Sequence, residues 1–117
     1  MPVKSAAELI SEAQEHISCV DAESAKAIYD ESPGVVILDV READSAAKSK
    51  LSGSTNVSRG LIEMKVPKLC PDSSTVILTH CGGGGRASLA AYTLKQMGYR
   101  NVYAITAPYQ TIKEVFE

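Results

Sequence analysis

The sequence predicts an α/β sandwich built around a parallel sheet. VVILDV, residues 35–40, and VILTH, Val76–His80, are continuous apolar runs of strand length, as expected for strands covered on both faces. Segments with apolar residues at helical spacing separate and flank them, so strands alternate with helices along the chain. A length of 117 residues suits one domain, 1–117, in which residues 1–17 form an N-terminal helical extension.

The extension places Ala6, Ile10, Ala13 and Ile17 at helical spacing, predicting a helix over 6–16. Asp21 is an N-cap for a helix over Ala22–Glu31, which ends before Pro33-Gly34. The first buried strand follows, then a short helix within 41–50 and a short strand at 54–57. Residues 59–69 carry a weaker helical period that ends near Pro71. After the second buried strand, residues 86–97 form a helix. Its inward residues are Leu89, Ala90, Thr93, Leu94 and Met97, and Gly98 is its stop. Asn101–Ile105 is a further strand, and 108–116 a closing helix with proline in its first turn. Phe116 and five tyrosines are the aromatic residues and tryptophan is absent, so the core is expected to be aliphatic and alanine-rich.

The formal net charge is −2, with acids and bases mixed along the chain. No basic stripe suited to nucleic acid is present, nor an apolar run near the ~18–20 residues of a membrane helix. The first residues lack a signal-peptide apolar core, and a cytoplasmic chain is expected. The three cysteines, Cys19, Cys70 and Cys81, are odd in number and lack CxxC spacing, which argues against a disulfide framework or a zinc site. Cys19 and Cys70 are expected to be small buried hydrophobes.

Cys81 differs, because Gly82, Gly83, Gly84, Gly85 and Arg86 follow it directly. Fixing four glycines costs about 2–4 kcal/mol relative to alanine. Position argues against a linker, since the run joins a buried strand straight to a helix. Gly82, Gly84 and Ala87 fit the loose dinucleotide pattern, but the acid it needs about 20 residues on is missing. The Walker pattern fails for want of a following Lys-Ser/Thr pair. A loop without Cβ atoms can instead turn its amides inward as an anion nest, reinforced by the helix N-terminus and Arg86. An ordinary thiol is only a few per cent ionised at neutral pH. Such surroundings favour the thiolate. This reading requires the amides to converge on the sulfur, and the thiol to be reachable rather than sealed in an apolar interior.

HCGGGGRASLAAYTLKQMGYRNVYAI resembles the active-site segment of the rhodanese-like sulfurtransferases. VVILDVREAD and SRGLIEMKVP resemble earlier stretches of that family. The resemblance spans about residues 35–105. It implies a three-layer sandwich with a central, mainly parallel sheet of about five strands flanked by helices. It also implies the activity of a thiosulfate sulfurtransferase. The Cys81 thiolate would take sulfane sulfur from thiosulfate or a persulfide, carry it as a persulfide cradled by the loop amides, and yield it to cyanide or a thiol. Arg86 would orient the anionic donor. No metal or organic cofactor is needed, and the partners are a small sulfur donor and acceptor, or a protein acceptor. The chain departs from the family at KLSGSTN, which keeps only Gly53 of the usual turn, and at ITAPYQT, which lacks the usual glycines and tryptophan. These changes concern the far wall of the pocket.

Two alternatives stay open. His80-Cys81 also begins the cradle of cysteine phosphatases and arsenate reductases. Here, however, four residues rather than five separate Cys81 from Arg86, and Ala87 replaces the hydroxyl that follows the arginine. The other alternative is a non-catalytic sulfur carrier or binding module. Among supporting residues, Arg41 either adds charge near the pocket or pairs with Asp39. Arg59 either reaches the mouth or forms an i,i+4 pair with Glu63. His80 is expected to pack at the strand end, and Ser88 to be a first-turn helix residue.

Overall fold

A computed structural model describes residues 2–117. Five strands form one parallel sheet: β1 (Ser18–Val20), β2 (Val36–Asp39), β3 (Ser54–Asn56), β4 (Val76–His80) and β5 (Asn101–Ile105). Their spatial order is β1-β5-β4-β2-β3, which puts β4 at the centre. The helices are α1 (Ala6–Gln14), α2 (Ala22–Glu31), α3 (Ala43–Lys48), α4 (Ile62–Leu69), α5 (Gly85–Gln96) and α6 (Tyr109–Phe116). One 3-10 turn, Arg59–Leu61, leads into α4.

The period of two sorts each central strand between two cores. Leu38, Val40, Ile77 and Cys81 face one core with Ile62 and Val66 of α4 and Ala87, Ala90, Ala91 and Leu94 of α5. Ile37 and Leu78 face the other with Ala22 and Ala25 of α2 and Ile112 of α6. Helices thus cover both faces of the sheet. The small α5 residues let that helix lie close to the strands, giving the aliphatic, alanine-rich core the composition predicts.

Some local features differ from the sequence expectation. β1 joins the sheet only as an edge partner of β5, through Cys19 level with Ala104. That leaves Cys19 exposed, correcting its expected burial, whereas Cys70 is buried. Met97 is 39% exposed rather than inward, because α5 closes there and Gly98 takes the left-handed conformation at φ 111°. Pro108 occupies the cap position of α6, one residue before its first turn. Among the described residues, no helix is long and apolar enough to cross a membrane.

Candidate active site

Sites in parallel sheets lie beyond the carboxyl ends of the strands. Here β4 ends at His80, and Cys81 opens the loop that leads into α5. Gly84 turns the chain at φ 99°, a left-handed conformation that glycine adopts without steric penalty. That turn brings two amides onto the sulfur. The Gly84 N–H donates to Cys81 Sγ at 3.0 Å and the Ala87 N–H at 3.4 Å. The N–H groups of Gly82, Gly83, Gly85 and Arg86 donate to no acceptor among the described residues. Two amides therefore converge on one sulfur, as the nest reading expects.

Accessibility departs from expectation. Cys81 is only 1% exposed. The loop closes over its sulfur from the side of α5, and the residue belongs to the apolar core on that face. Gly82 and Gly83, the arm of the ring after Cys81, are exposed.

The four glycines are not equivalent. A Cβ on Gly84 would stand 2.9 Å from the Thr106 Cα, so this position excludes a side chain as well as requiring the left-handed turn. A Cβ on Gly85 would meet Ile10 Cδ1 of α1 at 2.8 Å. At Gly82 the nearest atom would be an Arg86 guanidinium nitrogen at 3.8 Å, and at Gly83 nothing lies within 4 Å. Crowding by a side chain thus falls on Gly84 and Gly85 and not on Gly83. Thr106 belongs to the divergent ITAPYQT segment. Tyr109 of the same segment donates its N–H to the Gly82 carbonyl at 3.1 Å. The departure from the family pattern thus builds the wall behind the loop.

Arg86 is exposed and forms no ion pair among the described residues. Its nitrogen beside Gly82 sets an unpaired cation at the ring. Arg41 is buried and committed elsewhere: its Nε and a terminal nitrogen donate to the two Asp39 carboxylate oxygens at 2.9 and 2.7 Å. It also donates to the Ser49 carbonyl at 2.6 Å and rests 4.0 Å from the Tyr109 ring centroid. Burial alone would raise the Asp39 pKa. The Arg41 hydrogen bonds and the nearby positive charges outweigh it and hold the carboxyl below its ordinary value. Arg59 donates to Thr93 Oγ1 of α5 at 3.0 Å and lies 3.5 Å from Glu63, so the i,i+4 pair, one of the two outcomes its position leaves open, is formed.

His80 stacks on Tyr109 of α6 with centroids 5.8 Å apart. It is fully buried, and neither ring nitrogen has a hydrogen-bond partner. Burial lowers its pKa, with the Asp39 carboxylate opposing in part. Ser88 is more than a first-turn residue, for its Oγ donates to the Gly84 carbonyl at 2.7 Å. Gln14 Nε2 of α1 donates to the same Oγ at 3.1 Å. No local sequence signal pairs residues so far apart. Among the described residues, no group of three or more His, Cys, Asp or Glu side chains is placed to hold a metal.

Comparison with known proteins places this loop in context. A Bacillus subtilis (strain 168) protein, named Putative sulfur carrier protein YrkF, is 29% identical over 92 residues, covering 79% of this chain. The chain spans about half, 49%, of that relative's length. Among solved structures, a Rhodopseudomonas palustris CGA009 protein of unknown function, named a possible tyrosine phosphatase, superposes with TM-score 0.83 at 25% identity. That match covers 97% of this chain and 95% of the other. A thiosulfate sulfurtransferase from Pseudomonas aeruginosa superposes with TM-score 0.73 at 27% identity, covering 84% of this chain and 19% of that one. The family model for the rhodanese-like domain matches residues 21–114, which include both core strands, the glycine loop and α5. The chain belongs to the rhodanese-like domain family.

Proposed function

We propose that this chain is a sulfurtransferase that carries sulfane sulfur on Cys81. The observation that supports this best is the amide cradle: two N–H groups donate to Sγ, and four more in the same loop have no acceptor among the described residues. Donors fixed in place stabilise negative charge on sulfur at no cost of reorganisation.

The Cys81 thiolate attacks the outer sulfur of thiosulfate, the sulfur–sulfur bond breaks, and sulfite leaves with the electron pair. Cys81 then holds a persulfide anion whose outer sulfur takes the free N–H groups of Gly82, Gly83, Gly85 and Arg86. An acceptor such as cyanide or a thiolate attacks that sulfur and Cys81 departs as thiolate. Cyanide gives thiocyanate, and a thiolate gives a new persulfide. Arg86 holds the anionic end of the donor. Because Cys81 is buried, the donor enters by displacing the exposed loop at Gly83, where a Cβ would meet nothing within 4 Å. Arg41 serves the frame of the site, since its donors are spent on Asp39 and Ser49.

Intact mass after treatment with thiosulfate tests the reading. One added sulfur atom mapping to Cys81 is expected, and its absence with both thiosulfate and a small persulfide refutes it. The His80-Cys81 start favours a second reading, phosphate ester hydrolysis. The short ring and Ala87 weigh against it, and turnover of an aryl phosphate without sulfur uptake would establish it. Sulfur uptake without turnover to cyanide or thiols would instead identify a carrier, the role named for the Bacillus relative.

A further inference from the structure

The N-terminal helix α1 lies outside the stretch that matches the family model, yet it packs directly on the start of α5. Its own sequence fixes where it begins. Ser5 accepts from the Glu8 N–H at 3.1 Å and the Glu8 side chain accepts from the Ser5 N–H at 3.2 Å, a reciprocal capping box. Its inner face then meets α5 at three points. Ile10 lies against Gly85, Gln14 reaches Ser88, and just past the helix His16 stacks on Tyr92 with centroids 5.0 Å apart and planes 12° from parallel.

The Gln14 contact has a direction. A serine hydroxyl has one hydrogen to donate. Gln14 Nε2 donates to Ser88 Oγ at 3.1 Å, so that oxygen accepts from α1 and directs its hydrogen to the Gly84 carbonyl at 2.7 Å. The Ser88 N–H donates to the same carbonyl at 2.9 Å. Gly84 is the residue whose N–H points at Cys81 Sγ from 3.0 Å. An uninterrupted chain of hydrogen bonds thus runs from the N-terminal helix to the residue that makes the shorter amide contact with the sulfur.

We infer that Gln14 and Ser88 are positioning residues for the Cys81 cradle, and that α1 is the brace that holds Gly84 in its sulfur-facing turn. The inference rests on Cys81 being the reacting sulfur only for its effect on turnover. Its structural content stands apart from the chemistry. Neither side chain touches the donor, so the brace acts on the transfer step rather than on donor binding.

Gln14→Glu replaces a donor by an acceptor of the same shape, which competes with the Gly84 carbonyl for the Ser88 hydrogen. Gln14→Lys keeps a donor. Both are exposed at this position, so the fold should persist, and melting temperature checks it. Amide hydrogen exchange by NMR, at high salt to screen the added charges, reads the Gly84 N–H directly. Exchange at Gly84 should accelerate roughly 2–10-fold in Gln14→Glu, the range one neutral hydrogen bond carries, and stay near wild type in Gln14→Lys. Thiosulfate turnover should fall in the same proportion through kcat, with KM unchanged. Ser88→Ala should reproduce the loss. Wild-type exchange at Gly84 in Gln14→Glu overturns the inference, as does an effect confined to KM. A wild-type protein that takes up no sulfur would remove the proposed function alone, because the exchange result decides the brace by itself.

Discussion

Replacing Gly84 with alanine tests the geometry on which the cradle depends. An L-residue in the left-handed region costs roughly 1–2 kcal/mol. At φ 99° the new methyl would also stand 2.9 Å from Thr106 Cα and 3.3 Å from Thr106 Cβ. Carbon atoms prefer about 3.5–4.0 Å, and the atom in the way is backbone, which cannot rotate aside. Relieving such overpacking costs about 1–3 kcal/mol. Together the two effects give about 2–5 kcal/mol, and at this chain length each kcal/mol lowers Tm by roughly 4 °C. Gly84→Ala should therefore melt roughly 8–20 °C below wild type, scaling from the same relation. It should also lose sulfur transfer, since the turn that aims the N–H at Sγ is disturbed. Gly83→Ala is the matched control. Its φ is not left-handed and its Cβ meets nothing within 4 Å. The control should melt within about 2 °C of wild type, because surface changes fall within about 0.5 kcal/mol. Calorimetry on the pair decides. If both variants melt together near wild type, the left-handed turn against Thr106 does not exist in solution.

The remaining expectations concern charge and the nucleophile. Cys81→Ser should abolish sulfur uptake while circular dichroism stays unchanged, and retained turnover would assign the chemistry to another residue. Arg86→Ala should raise the thiosulfate KM with little change in Tm, because the side chain is exposed and unpaired; an unchanged KM removes it from donor binding. His80 supplies a pH test. Its folded pKa lies below the ordinary 6.5, so below pH 6.5 the unfolded chain takes up a proton that the folded chain refuses. Stability should fall as pH drops from there. His80→Leu should flatten that part of a urea-denaturation series, while the later loss through Asp39, which begins as pH nears 3.8, persists through its Arg41 hydrogen bonds. Parallel curves for wild type and His80→Leu would show that the imidazole titrates freely when folded.

What could be read from the sequence divides along a physical line. VVILDV and VILTH are apolar at every position but their ends, because strands covered on two faces leave no polar alternation. Their location, and with it that of Cys81, is local information. β1 is different: Ser18, Cys19 and Val20 carry no run of their own, and hydrogen bonds from β5 make them a strand. The same holds within the loop. Four identical glycines give no hint of which one turns left-handed, nor that Thr106, distant in sequence, leaves no room for a side chain at Gly84. Ser88 reads as an ordinary helix residue until Gln14, 74 positions away, is found against it. Met97 sits on the inward face of an ideal helix, but the helix ends before that face is covered. Arg41 shows how a local reading can leave two outcomes open. Its spacing from Asp39 permits either a pocket charge or an ion pair, and the ion pair is formed with two hydrogen bonds and a tyrosine ring.

The cost of ordering four glycines finds its explanation in how unevenly the loop is held. Tyr109 of α6 pins the Gly82 carbonyl from one side of the sheet. Ser88 of α5 pins the Gly84 carbonyl from the other, by side chain and by backbone. Gly85 backs onto Ile10. Of the four loop glycines, Gly83 alone has neither a neighbour within 4 Å of its Cβ position nor a left-handed backbone. The freedom that glycine confers is thus spent at Gly84 on geometry and retained at Gly83. Under the proposed transfer, a buried sulfur that receives another sulfur atom needs both. A rigid half of the ring keeps two amides on Sγ, and a loose half can move aside without disturbing them. On this division, substitutions at Gly84 act on the stability of the cradle and those at Gly83 act on admission to it. Melting temperature reads the first effect and the thiosulfate KM reads the second.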